Sequence, residues 1–122
     1  MTTASTAVIL YGIPNCDTVK KARAWLTERG VAVTFHDFKK QGVPEGALDT
    51  WIAAVGWETL VNRSGTTWRR LDDATKAAVS DAASARALIC EQASVIKRPV
   101  VQWPDSSLTV GFNPERFSQR LG

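Results

Sequence analysis

At 122 residues the chain has the length of one compact domain, because domains cluster at roughly 100–150 residues and a core of that size folds without staples. Its 15 basic and 12 acidic side chains give a formal charge of +3 with no block of like sign, so a nucleic-acid-binding tail is excluded and a weak attraction for anions remains. Two cysteines far apart in the sequence make no disulfide framework, no apolar run approaches the ~20 residues of a membrane span, and no secretory pattern is present; a soluble, cytoplasmic protein is expected.

Residues 1–6 are small and polar and are expected to fray. Ala7 to Tyr11 reads as a buried strand, an almost continuous apolar run ended by Gly12 and Pro14. From Asp17 to Arg29, Val19, Ala22, Trp25 and Leu26 recur at helical spacing and Gly30 supplies the stop. Val31 to Phe38, rich in β-branched and aromatic residues, is a second strand, parallel to the first because a helix connects them. Lys39 to Gly42 reads as a polar loop. Pro44 then opens a helix with Leu48, Trp51, Ile52 and Val55 on one face, closed by Gly56.

Between Trp57 and Arg70 the periodicity breaks up, with residues 62–67 reading as a loop. Two short helices are expected around Asp72–Val79 and Ala82–Gln92. Pro99–Trp103 and Leu108–Phe112 form an antiparallel hairpin across Pro104–Ser107, and Asn113-Pro114-Glu115 caps a last helix in which Phe117 and Leu121 pack inward. The order βαβ, helices, ββα gives an α/β, thioredoxin-like fold with a mixed sheet. It is a single domain in which residues 7–43 and 95–122 form the core and 44–94 a helical insertion.

Cys16 stands where the first strand gives way to the first helix. A helix start offers unpaired N–H groups and a positive dipole end, and these favour a thiolate over a thiol. Exposed neighbours are expected in Pro14, Asn15 and Asp17. A dithiol oxidoreductase needs a second thiol three positions away, but Ile13 and Val19 occupy those places. An external thiol must therefore resolve any mixed disulfide, and glutathione is the abundant cytosolic one. Cys90, beside Leu88 and Ile89, reads as a buried small hydrophobe.

Ile96-Lys97-Arg98-Pro99-Val100 sets two cations and a proline before a strand. The proline can hold a cis peptide, and Arg98 offers a fork for an oxyanion or carboxylate. Arg63 in its loop is the next anion-binding candidate, and Lys20, one turn into the helix, adds positive charge near the sulfur. His36, the one histidine, has a packing role, since no metal-ligand cluster exists. Trp25, Trp51 and Trp103 read as core.

Tyr11-Gly12-Ile13-Pro14-Asn15-Cys16-Asp17-Thr18, Gly65-Thr66-Thr67-Trp68-Arg69, Asp81-Ala82-Ala83-Ser84-Ala85 and Ile96-Lys97-Arg98-Pro99 together resemble the ArsC family, in its YffB-like branch neighbouring the Spx regulators. The resemblance implies that Cys16 is the redox cysteine and that Arg98 with Pro99 contacts the anion. Three arginines surround the cysteine in the family's glutathione- and glutaredoxin-coupled arsenate reductases. Arg98 and Arg63 match two of them, while the segment expected to hold the third, Val110-Gly111-Phe112-Asn113-Pro114, has none.

The resemblance thus implies a glutathione-dependent thiol reductase with no bound cofactor. Glutathione is its co-substrate, glutaredoxin a further partner, and a small oxyanion or a thiol or disulfide its substrate; Asn15 and Lys20 complete the site, and neither nucleic acid nor membrane is a partner. Two rivals stand beside it: a true arsenate reductase, and an Spx-like redox-sensing regulator that binds RNA polymerase. The second lacks the Cys-x-x-Cys switch, because Val19 takes the place of its second cysteine.

Overall fold

The computed structural model describes residues 8–121, with side chains through Arg120; the expected fraying of 1–6, Ala7 at the strand start and the packing of Leu121 lie outside what is described. Four strands, β1 (Val8–Gly12), β2 (Val33–Asp37), β3 (Val100–Gln102) and β4 (Leu108–Val110), form one mixed sheet in the order β2-β1-β3-β4. β1 and β2 are parallel with Val8 opposite Val33, whereas β3 runs antiparallel to both β1 and β4. The helices are α1 (Asp17–Glu28), α2 (Phe38–Gln41), α3 (Glu45–Val55), α4 (Trp57–Leu60), α5 (Thr66–Arg69), α6 (Asp73–Ala78), α7 (Ala82–Glu91) and α8 (Pro114–Leu121), with a 3-10 turn at Ala93–Val95.

The chain divides into two compact units, one holding the residues up to Phe38 and from Arg98 onward, the other Lys39–Lys97. In the first, strand alternation sends Val8 and Leu10 of β1 and Val101 of β3, with Trp103 just beyond, to the same side. Val19, Ala22 and Leu26 of α1 and Phe117 of α8 close over them to make the buried cluster. Phe117 meets Trp103 edge-on at 4.9 Å and Trp25 at 5.6 Å, the favoured geometry for ring quadrupoles. The Trp103 indole N–H donates to Thr109 Oγ1 at 3.0 Å, so neither polar atom is buried unpaired.

On the other face Tyr11 and His36, register partners on β1 and β2, bring their rings to 5.0 Å, with Phe38 completing the aromatic group. His36 therefore has the packing role expected of it. Asn113 Oδ1 accepts from the Arg116 N–H at 3.1 Å, the expected cap of α8.

In the second unit Leu48 and Trp51 of α3, Leu60 of α4, and Ala85, Leu88 and Ile89 of α7 are buried. Asp81 and Ser84 form a reciprocal capping box at the start of α7. Arg86 ties α7 to α3 through Asp49 (2.6 Å) and Glu45 (3.1 Å). Two expectations need correction here. Phe38–Gln41 is a helical turn, ended by Gly42 at φ +73°, where Lys39 to Gly42 reads as a loop from composition. The aperiodic stretch after Trp57 holds two four-residue helices, each too short to show a 3.6-residue repeat.

Candidate active site

The loop from β1 to α1 delivers Cys16 to the N-cap position, with extended backbone angles (φ −140°, ψ 122°). Its carbonyl accepts the first helical hydrogen bond, from the Lys20 N–H at 2.9 Å, and its side chain makes no cap. The N–H groups of Asp17, Thr18 and Val19 occupy the turn where a helix leaves donors unpaired, so the first turn presents donors toward an anion at this end. Cys16 is a free thiol, half-buried, resting against the cluster formed by α1, α8 and the sheet. Asn15 before it and Lys20 after it are exposed.

Gly12 determines how close α1 comes to the strand that precedes it. A Cβ at Gly12 would lie 2.8 Å from Val19 Cγ2 and 3.5 Å from Cγ1, and Val19 is wholly buried. Read from the sequence, Gly12 merely ends the strand; its closeness to a side chain seven residues on is a tertiary fact. Only the pairing of a strand-terminal glycine with a β-branched residue in the next helix's first turn hints at it.

Tyr11 pairs with Val100, and that antiparallel register, carried one step further, sets Pro99 across from Gly12. The Arg98–Pro99 peptide is cis, as its place before β3 suggested. Pro99 is buried and Arg98 half-buried. The Pro99 carbonyl accepts from the Gly111 N–H at 2.9 Å, which ties the turn after β4 to the same end; Gly111 takes φ +87°, a conformation open mainly to glycine. Three segments thus meet at one end of the sheet: the loop 13–16, Arg98-Pro99, and the turn 111–113.

Arg63 lies in the other unit, exposed, with Nη2 3.9 Å from Glu58 Oε2 and its guanidinium 5.8 Å from the centre of the Trp57 ring. A surface pair of this kind holds the side chain only loosely. Its loop is fixed more firmly, since Asn62 Oδ1 accepts from the Ser64 N–H at 3.2 Å. Cys90 departs from expectation, being exposed. On α7 the buried stripe is Ala85, Leu88 and Ile89, and at about 100° per residue position 90 turns away from it. Among the described residues no group of three or more His, Cys, Asp or Glu side chains is arranged to hold a metal ion, and no helix is long and apolar enough to cross a membrane.

A mixed sheet of order β2-β1-β3-β4 with a cysteine at the first helix start and a cis-proline before the third strand defines the α/β, thioredoxin-like class. Residues 11–119 match the ArsC family, and the chain belongs to it. It is similar to the solved structure of a protein named YffB, at 47% identity over 94% of this chain and 99% of that one, with a TM-score of 0.88. An arsenate reductase (ArsC) related protein from Brucella melitensis is also 47% identical, with 97% of each chain covered and a TM-score of 0.75. The global transcriptional regulator Spx of Streptococcus pyogenes is 25% identical over 113 residues, 90% of this chain and 81% of that protein.

Proposed function

We propose that the protein is a glutathione-dependent thiol reductase that uses Cys16 as its single nucleophilic sulfur. The observation that carries this reading is Cys16 at the N-cap of α1, half-exposed and uncapped, following β1 at the end of the sheet where Arg98 and Pro99 lead into β3. In the first step the Cys16 thiolate attacks the glutathione sulfur of a mixed disulfide R–S–S–G. The Cys16–S–S–G bond forms, the S–S bond joining RS to the glutathione sulfur breaks, and RS⁻ leaves with the electron pair and takes a proton from water. A second glutathione, as thiolate, then attacks the same glutathione sulfur, releasing glutathione disulfide and restoring Cys16. Two electrons pass from glutathione to the substrate.

The chain's own part in this is to position and stabilise. The positive end of α1, with its first-turn N–H groups, begins at Cys16 and favours charge on the sulfur, and Arg98 supplies a guanidinium at the same end of the sheet. Positions 13 and 19 hold buried Ile13 and Val19, which supports an external resolving thiol. The arsenate reductase alternative draws on the family, but the turn 111–113 has no arginine to complete an oxyanion cradle. The regulator alternative draws on the Spx relatives and lacks a vicinal thiol.

The test is turnover of a glutathionylated substrate with glutathione, together with intact-mass detection of the enzyme adduct. Cys90→Ser should retain both activity and a single glutathionyl adduct, whereas Cys16→Ser should lose both. An adduct confined to Cys90, or turnover that survives Cys16→Ser, would refute the reading. Recovery of RNA polymerase from extract by a protein without thiol activity would favour the regulator.

A further inference from the structure

The end of α7 carries a charge that the helix itself disfavours. Glu91 is its last residue, where free carbonyls and the negative end of the dipole favour a cation, yet the last turn holds no basic side chain. Glu91 is exposed, and its carboxylate has no ion pair or hydrogen bond among the described residues. The helix stops there: the Gln92 N–H donates to the Leu88 carbonyl at 2.8 Å, and the 3-10 turn Ala93–Val95 follows. A local preference broken without compensation inside the chain is a mark of functional places.

Glu91, Gln92 and Ser94 line a cleft of about 460 Å³ together with Thr67 of α5 and Arg70 and Leu71 just after it. All belong to the Lys39–Lys97 unit. The Arg70 guanidinium is exposed and, like the Glu91 carboxylate, unpaired among the described residues; the two charges do not bridge to each other. The backbone around Arg70 is fixed, since the Arg70 N–H donates to the Thr66 carbonyl at 3.1 Å, the Leu71 N–H to Trp68 at 3.0 Å, and Lys76 Nζ to the Arg69 carbonyl at 3.3 Å. One cavity thus offers two opposite, unsatisfied charges, with the Thr67 hydroxyl and the Gln92 amide as further hydrogen-bonding groups.

We infer that this cleft binds the zwitterionic head group of an α-amino acid, with its ammonium at Glu91 and its carboxylate on Arg70. The guanidinium fork suits a carboxylate, and an ammonium at Glu91 neutralises the acid and answers the helix dipole together. A ligand of one sign gains one partner and meets the like charge of the other, so the pair selects for both charges in one molecule. The volume lies within the roughly 300–1,000 Å³ of small-molecule sites, enough for a free amino acid or for the γ-glutamyl end of a peptide, which carries the same head group. None of these residues belongs to the Cys16 site, so the cleft and the reductase reading stand or fall separately.

The test follows amide chemical shifts of the ¹⁵N-labelled protein during titration with L-alanine, with alaninamide, which lacks the carboxylate, and with N-acetylalanine, which lacks the ammonium. L-Alanine should shift the amides of residues 67–71 and 91–94 saturably, and each half-charged analogue should bind about tenfold more weakly. Arg70→Gln should weaken L-alanine about tenfold and leave alaninamide within about twofold of its parent value. Glu91→Gln should weaken L-alanine equally and leave N-acetylalanine within about twofold. Both substitutions are at exposed positions, and spectra that match the parent elsewhere establish the fold. S-Methylglutathione, which cannot enter disulfide exchange, separates the two sources: tighter binding than L-alanine at these amides assigns the cleft to a γ-glutamyl peptide, weaker or equal binding to a free amino acid. Absence of saturable shifts with either zwitterion, or L-alanine binding that survives either substitution unchanged, would overturn the proposal.

Discussion

Replacing Gly12 by alanine tests how the strand and the helix are fitted together at Cys16. The added Cβ would stand 2.8 Å from Val19 Cγ2, about 0.7 Å or more inside ordinary carbon contact. Val19 has no exposed surface into which to retreat, so relief comes from lifting the first turn of α1 away from β1. Overpacking of this kind costs about 1–3 kcal/mol, and the lower backbone entropy of alanine returns about 0.5–1 kcal/mol of it. A net loss of ~1–2 kcal/mol, at roughly 3–6 °C per kcal/mol for a domain of this length, lowers the melting midpoint by about 3–12 °C.

Urea unfolding of four proteins decides the matter: parent, Gly12→Ala, Val19→Ala and the double variant. Val19→Ala alone costs roughly 2 kcal/mol for the buried methyls it deletes. Because it also removes the atoms that the new Cβ would strike, the double variant should be more stable than the sum of the singles predicts, by ~1 kcal/mol or more. Additivity within about 0.5 kcal/mol would refute the proposed fit.

Burial pushes the phenol of Tyr11 above its ordinary value of 10.0, and Tyr11 is the single tyrosine, so absorbance at alkaline pH follows it alone. The native protein should ionise at higher pH than the urea-unfolded chain. A folded value above the unfolded one means that stability is fully present below pH ~10 and is lost as pH rises through the folded value. A native transition at or below the unfolded one would contradict the packing of Tyr11 against His36 and Phe38. Arg98→Ala should leave the fold intact and slow glutathione-dependent turnover by about tenfold, the scale of one charge-assisted hydrogen bond. Unchanged kinetics would assign Arg98 to the surface.

The parallel pair, the hairpin and the capped helix α8 are all legible in the sequence, because each carries a local signature: the apolar run ending at Gly12, the Pro104–Ser107 turn, and Asn113 before Pro114. Cys16 and Pro99 are legible for the same reason, as a residue at a helix start and a proline before a strand. Cys90 is misread because Leu88 and Ile89 beside it are apolar, while burial on a helix follows angle and not adjacency. The turn at Phe38–Gln41 is hidden by Lys39 and Lys40, whose charge is indifferent between an exposed helix and a loop. Gly12 is read only as a strand end because its further importance lies in what faces it across the fold. Gly12 and Val19 stand only seven residues apart, but their close approach depends on how the helix returns over the strand.

The strand order has a consequence for the birth of the molecule. β1 lies between β2 and β3, yet β3 begins only at Val100. A ribosome therefore releases β1 and its parallel neighbour long before the strand that pairs with β1 on its other side, and β1 waits with that side unpaired until Val100 and the residues after it emerge. The intervening Lys39–Lys97, a compact unit with its own buried residues, is synthesised in that interval. Slowing elongation over that stretch would lengthen the exposure of the β1 edge to other nascent chains.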